Sequence, residues 1–325
     1  MTEPGLSAVD RAEYLSPRIH GSNTSSCRSS GIADRALSGV CKYFAMAGGT
    51  HMWPVVDLAD LLDVLDLTEV DAGRFRARNV TSTLPTTLGS QTLAQAVVAA
   101  ERTVPRMAVQ SLHGVFPRGG YADRDVDVAV EVVQSGRALA TVQVSFSQEG
   151  REHARVLTML SAEEPDFLGH GAHLPEGVPG PEECEELPCA LLPWEVRTFG
   201  GADALAAELS GPPALDVWMR CDKAPDLPGL GRALLAHGSE GFLGPVAMRP
   251  YPQTEIARRG GRGTAAMLAQ TVTFHRPFTM HDWLLLHCES PFAGGSRMYG
   301  RIQIFTQAGD LVASVSAQGL MRQAG

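Results

Sequence analysis

The sequence predicts an α+β chain of two like halves, each an antiparallel sheet wrapped around one apolar helix. Three observations carry this prediction. The segment QTLAQAVVAA, Gln91 to Ala100, is apolar and small on nearly every side, so a helix there must be buried, and its alanines let a surrounding sheet approach closely. Runs with two-residue alternation and glycine turns follow it, as antiparallel strands require. Similar strings then recur in the same order: Phe116 and Phe274, Arg137 and Arg297, and Gln148 and Gln307 lie 158, 160 and 159 residues apart, with SGRALATVQVSFSQEG answered by GSRMYGRIQIFTQAG. A sheet around one helix leaves a free edge and an uncovered face, which two copies cover by pairing, with a ligand cleft between them. Two independently folded α+β domains are the rival arrangement.

Size and composition admit such a core. The chain has 325 residues, 44% of them hydrophobic and 19% charged, which places it among globular proteins rather than disordered ones. With 27 Lys+Arg against 36 Asp+Glu, the net charge of -9 gives no general attraction to nucleic acid or anionic membranes. No apolar stretch approaches the roughly 20 residues that span a bilayer, and no continuous hydrophobic signal core opens the chain, so a cytoplasmic protein is expected. Cys27, Cys41, Cys184, Cys189, Cys221 and Cys288 are scattered without a CxxC pair, which reads as reduced thiols, and no cluster suggests a metal.

Residues 1–52 mix Ser, Gly and Arg without a period and are expected to be a poorly ordered or non-native extension. An upstream start codon, sequence added for expression and an irregular packed arm are its three open origins. A first unit is expected over 53–161. Leu58, Leu61, Leu62 and Leu65 have helical spacing, Phe75 to Val80 alternates as a strand, and 84–89 connects to the buried helix. After Pro105, strands are expected near 107–116, 126–133, 138–147 and 153–160, with Gly136 and Gly150 at turns. Residues 162–190, rich in Pro, Gly and Glu, read as an exposed linker. The second unit, 191–325, repeats the plan: strands at 194–198 and 214–220, a helix at 230–237, then strands at 267–274, 283–290, 297–305 and 311–317.

The strings LGSQTLAQAVVAAERTVP, SLHGVFPRGG, TFHRPF, DWLLLHCES and IFTQAGDLVASVSAQGLMR resemble the type II acyl-CoA thioesterase family, the TesB-like double-hotdog proteins, over about residues 55–322. The resemblance implies a double hotdog that binds fatty acyl-CoA near the interface of its halves and hydrolyses it to a free acid and CoA, with no cofactor. It also implies a water-activating Asp assisted by a Thr and a Gln. On this sequence those positions fall on Glu240, Met267 and Ala317, with Gln318 next in line. Glutamate keeps the carboxylate but reaches one methylene further, the Met thioether cannot donate a hydroxyl hydrogen bond, and one step along a strand turns Gln318 to the other face unless a bulge intervenes.

Glu240 and Gln318 are therefore the candidate catalytic residues, and Thr264, Gln270 or Thr271 are candidates for the lost donors. Gln270 and Thr271 face opposite ways in a regular strand. Gly89 and Gln91, at the start of the first central helix, are candidate substrate-binding residues because backbone donors there can receive a carbonyl or phosphate. Ser90 stands where the family usually has a second Gly. His113 and Arg276 complete the substrate-binding set, and His275 and Arg118 are weaker candidates; ordinary structural roles compete for all four. Arg258, Arg259 and Arg262 form a basic loop that solvent alone explains. No GxSxG, Walker loop, GxGxxG or HExxH is present. The expected function is acyl-CoA hydrolysis, with acyl-CoA binding without turnover as the alternative and hotdog hydratase or dehydratase chemistry as a weaker one. The expected partner is an acyl-CoA, and higher homo-oligomers remain open.

Overall fold

The computed structural model describes residues 57–80, 86–186, 193–199, 210–251 and 263–323. The 1–52 extension, Cys27, Cys41, Cys189, Arg258, Arg259 and Arg262 lie outside them, and of Thr264 only the backbone is described.

In the first half, α1 (Leu58–Leu65) is capped by Asp57, whose carboxylate accepts the Ala59 N–H at 2.7 Å. The short hairpin of β1 (Thr68–Asp71) and β2 (Arg74–Ala77) turns through Gly73 at φ +67. Then come α2 (Gly89–Thr103), β3 (Ala108–Val115), β4 (Val126–Ser135), β5 (Leu139–Gln148) and β6 (Arg151–Ser161). Every residue of α2 from Ser90 to Ala100 is buried, as its composition demands. The strand expected to reach Val80 stops at Ala77, because α2 takes over its polar groups. Gln95 Nε2 donates to Arg78 O at 2.9 Å, and Gln91 Oε1 accepts the Val80 N–H at 3.0 Å. β1 escaped the sequence reading because all four of its residues are exposed and no apolar alternation marks it.

The second half follows with β7 (Glu185–Glu186), β8 (Glu195–Thr198), β9 (Ala214–Arg220), α3 (Pro228–Gly238), α4 (Leu243–Met248), β10 (Gly263–Phe274), β11 (Leu284–Gly294), β12 (Arg297–Thr306) and β13 (Leu311–Gln323). The helix expected over 230–237 runs on through a 3-10 turn at Ser239–Phe242 into α4. Gly241, Gly244 and Pro245 read as helix breakers, yet Pro245 falls in the first turn of α4, where its missing N–H costs no intrahelical bond.

All described strands form one antiparallel sheet of thirteen, ordered β1-β2-β4-β5-β6-β3-β10-β13-β12-β11-β9-β8-β7. The order reads the same from either end of the β3–β10 seam, apart from the extra β7. There Val115, Gly114 and His113 pair with Ala269, Gln270 and Thr271. The duplicated strings fall on equivalent hairpins: Arg137 lies just before β5 and Arg297 opens β12, while Gln148 closes β5 and Gln307 lies just after β12. The sheet curves around α2 and α3, which pack side by side and are bridged by Glu101 and Arg232 at 2.8 Å. This is a double hotdog.

The 162–190 stretch is not simply exposed. Ala172, Leu174, Val178 and Cys184 pack on a second apolar cluster of Trp218, Trp283, Leu285 and Phe305, on the outer face of the second half's sheet, and Trp218 Nε1 donates to Pro179 O at 2.9 Å.

Candidate active site

Where the end of α3 tightens into the 3-10 turn, Glu240 is carried across the interface to the start of α2. Its Oε2 accepts the Ser90 backbone N–H at 2.5 Å, and its side chain is buried. Ser90 is the second residue of a 15-residue helix whose N-cap, Leu88, offers no side-chain cap. The carboxylate thus takes up one of the orphan N–H groups and meets the positive end of the helix dipole. The Gly89 N–H belongs to the same unpaired first turn. Burial pushes the Glu240 carboxyl above its ordinary range, and hydrogen bonding from Ser90 opposes the shift.

Strands β10 and β13 supply the floor. Between Met267 and Ala269 the register against β13 slips by one residue, so that Met267 pairs with Gly319 and Gln270 with Ala317. The bulge at Leu268 keeps Met267 and Gln270, three positions apart, on the side facing the helices. A Cβ on Gly89 would stand 3.5 Å from Met267 Cβ and 3.2 Å from the Phe116 ring. Gln270 is buried, and its Nε2 donates to the hydroxyl of Ser239, the neighbour of Glu240, at 3.3 Å. Ser239 escaped the sequence reading because a lone serine in a glycine-rich segment carries no periodic or motif signal.

The remaining candidates separate. Gln318 does not join Glu240: the bulge lies in β10, β13 keeps its alternation, and Gln318 is exposed while Ala317 is buried. It lines an open depression with Phe292, Arg297, Met298 and Tyr299. Thr271 and His113 face away from the helices, where His113 Nδ1 and Thr271 Oγ1 are 2.7 Å apart. The Gln91 amide turns from the site: its Nε2 donates to Asn79 Oδ1 at 2.7 Å and its Oε1 holds Val80. Arg276 and Arg118 are exposed beyond strand ends, and His275 pairs with the Ser314 hydroxyl at 2.8 Å on the outer face. His237, three residues before Glu240, is buried beside Trp194 with neither ring nitrogen hydrogen-bonded. Burial pushes its pKa down to about 4, so it is neutral at pH 7.

A buried carboxylate at a helix N-terminus, beside a backbone donor, can accept a proton from water while the helix end receives developing negative charge. Residues 80–162 match the family model described as the acyl-CoA thioesterase N-terminal domain, and residues 175–321 match that of the acyl-CoA thioesterase C-terminal domain. The chain is 27% identical over 290 residues to acyl-CoA thioesterase 2 of Haemophilus influenzae, covering 82% of this chain and 98% of that protein. Among solved structures, the acyl-CoA thioesterase II TesB2 of Mycobacterium marinum is 30% identical with a TM-score of 0.70, over 82% of this chain and 99% of its own. The tesB protein of Mycobacterium avium subs paratuberculosis superposes with the same TM-score of 0.70 at 27% identity, over the same 82% and 99%. The duplicated sheet, the paired helices and these likenesses agree, and the chain belongs to the type II acyl-CoA thioesterase family.

Proposed function

We propose that this chain hydrolyses fatty acyl-CoA, with Glu240 as the general base. The observation that carries this reading is the buried Glu240 carboxylate held 2.5 Å from the Ser90 N–H at the start of α2. Glu240 takes a proton from water as the water oxygen attacks the thioester carbonyl carbon. The carbonyl oxygen, now negative, is received by the free N–H of the first turn, with Gly89 the nearest such donor to the strand floor. The tetrahedral intermediate collapses with loss of the C–S bond, and the proton on Glu240 passes to the CoA sulfur. The products are a free acid and CoA, and this sequence of steps calls on no metal or organic cofactor.

The relatives named above support the substrate class, and thioester cleavage of this kind belongs to lipid metabolism. The free thiols of Cys184, Cys221 and Cys288 among the described residues suit a reducing compartment, in keeping with a cytoplasmic acyl-CoA. Arg276 and His113 are set aside as substrate contacts in this reading, because both lie away from the helix face.

Met267 and Ala317 favour one second reading, acyl-CoA binding without turnover, since neither side chain can donate a hydrogen bond and only the Met thioether accepts one, weakly. Free-thiol release from short, medium and long acyl-CoAs, measured beside equilibrium binding of the same ligands, separates the two. Release of CoA thiol with matching free acid supports hydrolysis; tight binding with no release establishes the second reading.

A further inference from the structure

A buried polar atom beside Glu240 has no hydrogen-bond partner: Gln270 Oε1. Gln270 is 1% exposed. Buried polar groups in native proteins are paired with few exceptions, and a water is one partner that completes such a group. Gln270 Nε2 bonds Ser239, which precedes Glu240 in the 3-10 turn, so the orphaned oxygen belongs to the surroundings of that carboxyl.

The orientation of the Gln270 amide is fixed from one side. Ser239 Oγ donates to Ala236 O at 3.2 Å, so its lone pair is left to accept Gln270 Nε2 at 3.3 Å. With the nitrogen end engaged, the oxygen end is an acceptor with nothing to accept. Around it the floor is cleared of competing groups: Gly114 pairs with Gln270 on one side and Ala317 on the other.

We propose that Gln270 is a catalytic residue that holds the attacking water, an assignment resting on the hydrolase reading above. The water donates one O–H to Gln270 Oε1 and gives its other proton to Glu240, which directs the remaining lone pair at the thioester carbonyl carbon. The bond made is O–C and the bond broken is C–S. The proton on Glu240 goes to the departing sulfur, and the one held by Gln270 remains with the acid. Ser239 is a positioning residue that acts through Gln270.

The test compares kcat and KM for one acyl-CoA in wild type, Glu240→Gln, Gln270→Met, Gln270→Ala and the double variant Gln270→Ala/Ala317→Gln, with thermal melting of each. Gln270→Met fills the same volume without the amide and is expected to lose about 100-fold in kcat with KM within about threefold. Ala317 is directly across from Gln270 and points the same way, so the double variant returns a carboxamide to the site and is expected to regain at least about tenfold over Gln270→Ala. A merely structural Gln270 would show no such rescue. Folded Gln270→Met with kcat within about threefold of wild type, alongside an inactive Glu240→Gln, overturns the role of Gln270 and leaves the hydrolase reading standing. Loss without rescue in a folded double variant overturns it as well. A wild type that releases no thiol overturns the hydrolase reading itself.

Discussion

Glu101 stands to the second half's helix as Glu240 stands to the first half's. The helix caps Leu88 and Leu227, the first-turn residues Ser90 and Gly229, and the two glutamates are each separated by 139 residues. Glu240 meets the Ser90 N–H, and a Cβ on Gly229 would lie 2.5 Å from Glu101 Oε2. The two positions differ in what neutralises the carboxylate. Glu101 is held by Arg232 and also accepts the Val109 N–H at 2.9 Å, whereas the α2 residue corresponding to Arg232 is the buried Leu93. A pseudo-twofold fold thus contains one carboxyl fixed in an ion pair and another held by a backbone N–H at a helix start.

Removing Arg232 tests the structural half of that contrast. Arg232→Leu leaves Glu101 partly buried and without its cation, and an expected loss of about 3 kcal/mol follows from breaking such a pair from one side. Denaturant unfolding measures it, and adding Glu101→Gln to the same variant is expected to recover part of the loss. Equal stability of Arg232→Leu and wild type would contradict the pairing.

With Glu240 as the proposed base, its raised pKa is expected to set the pH dependence of turnover. The base must be ionised, so kcat/KM is expected to fall with decreasing pH through an apparent pKa above the ordinary glutamate value of 4.5. For stability the sign is reversed. An acid whose folded pKa is raised favours the folded state at low pH and loses that contribution as pH rises through the folded value, so Glu240→Gln is expected to gain stability over wild type as pH increases. A pH-rate profile and melting curves across the same range check both limbs.

His237 acts on the acid side. Its folded pKa of about 4 lies below the ordinary 6.5, so the unfolded chain binds more protons between those values and stability falls as pH drops through them. The full difference is about 3 kcal/mol for a group shifted this far. His237→Leu is expected to flatten the loss of melting temperature between pH 6.5 and 4; an unchanged slope would show that His237 is not responsible for it.

Gln318→Ala and His113→Ala are expected to keep kcat within about twofold of wild type, since both side chains lie on the far side of the sheet from Glu240. A large fall in kcat for Gln318→Ala would place its amide in the reaction despite its exposure.

Much of the fold is legible in the sequence because burial writes a pattern. The apolar α2 segment, the alternating strands and the repeat through Phe116 and Phe274 each mark an element that the structure contains. What escaped notice was held by context: β1 has no buried residue, and the α3–α4 helical stretch survives Gly241 and Pro245 because neighbouring layers enclose it. In the site, the position of Glu240 follows from the family likeness, but its contact with Ser90 joins residues 150 apart and depends on the packing of two helices. Gln318 illustrates the limit of spacing. Whether it replaces Ala317 turns on which strand carries the bulge, and that is fixed by pairing with β10 rather than by any residue in β13.

The central claim is that the Glu240 carboxylate activates water, and the most direct measurement is CoA-thiol release by Glu240→Gln, with acyl-CoA binding measured on the same preparation. Gln preserves the shape and can still accept the Ser90 N–H, so binding is expected to remain within about threefold of wild type while kcat falls by at least about 100-fold, the scale of a lost general base. Turnover by Glu240→Gln close to that of wild type, with binding unchanged, would contradict the claim and move the base elsewhere.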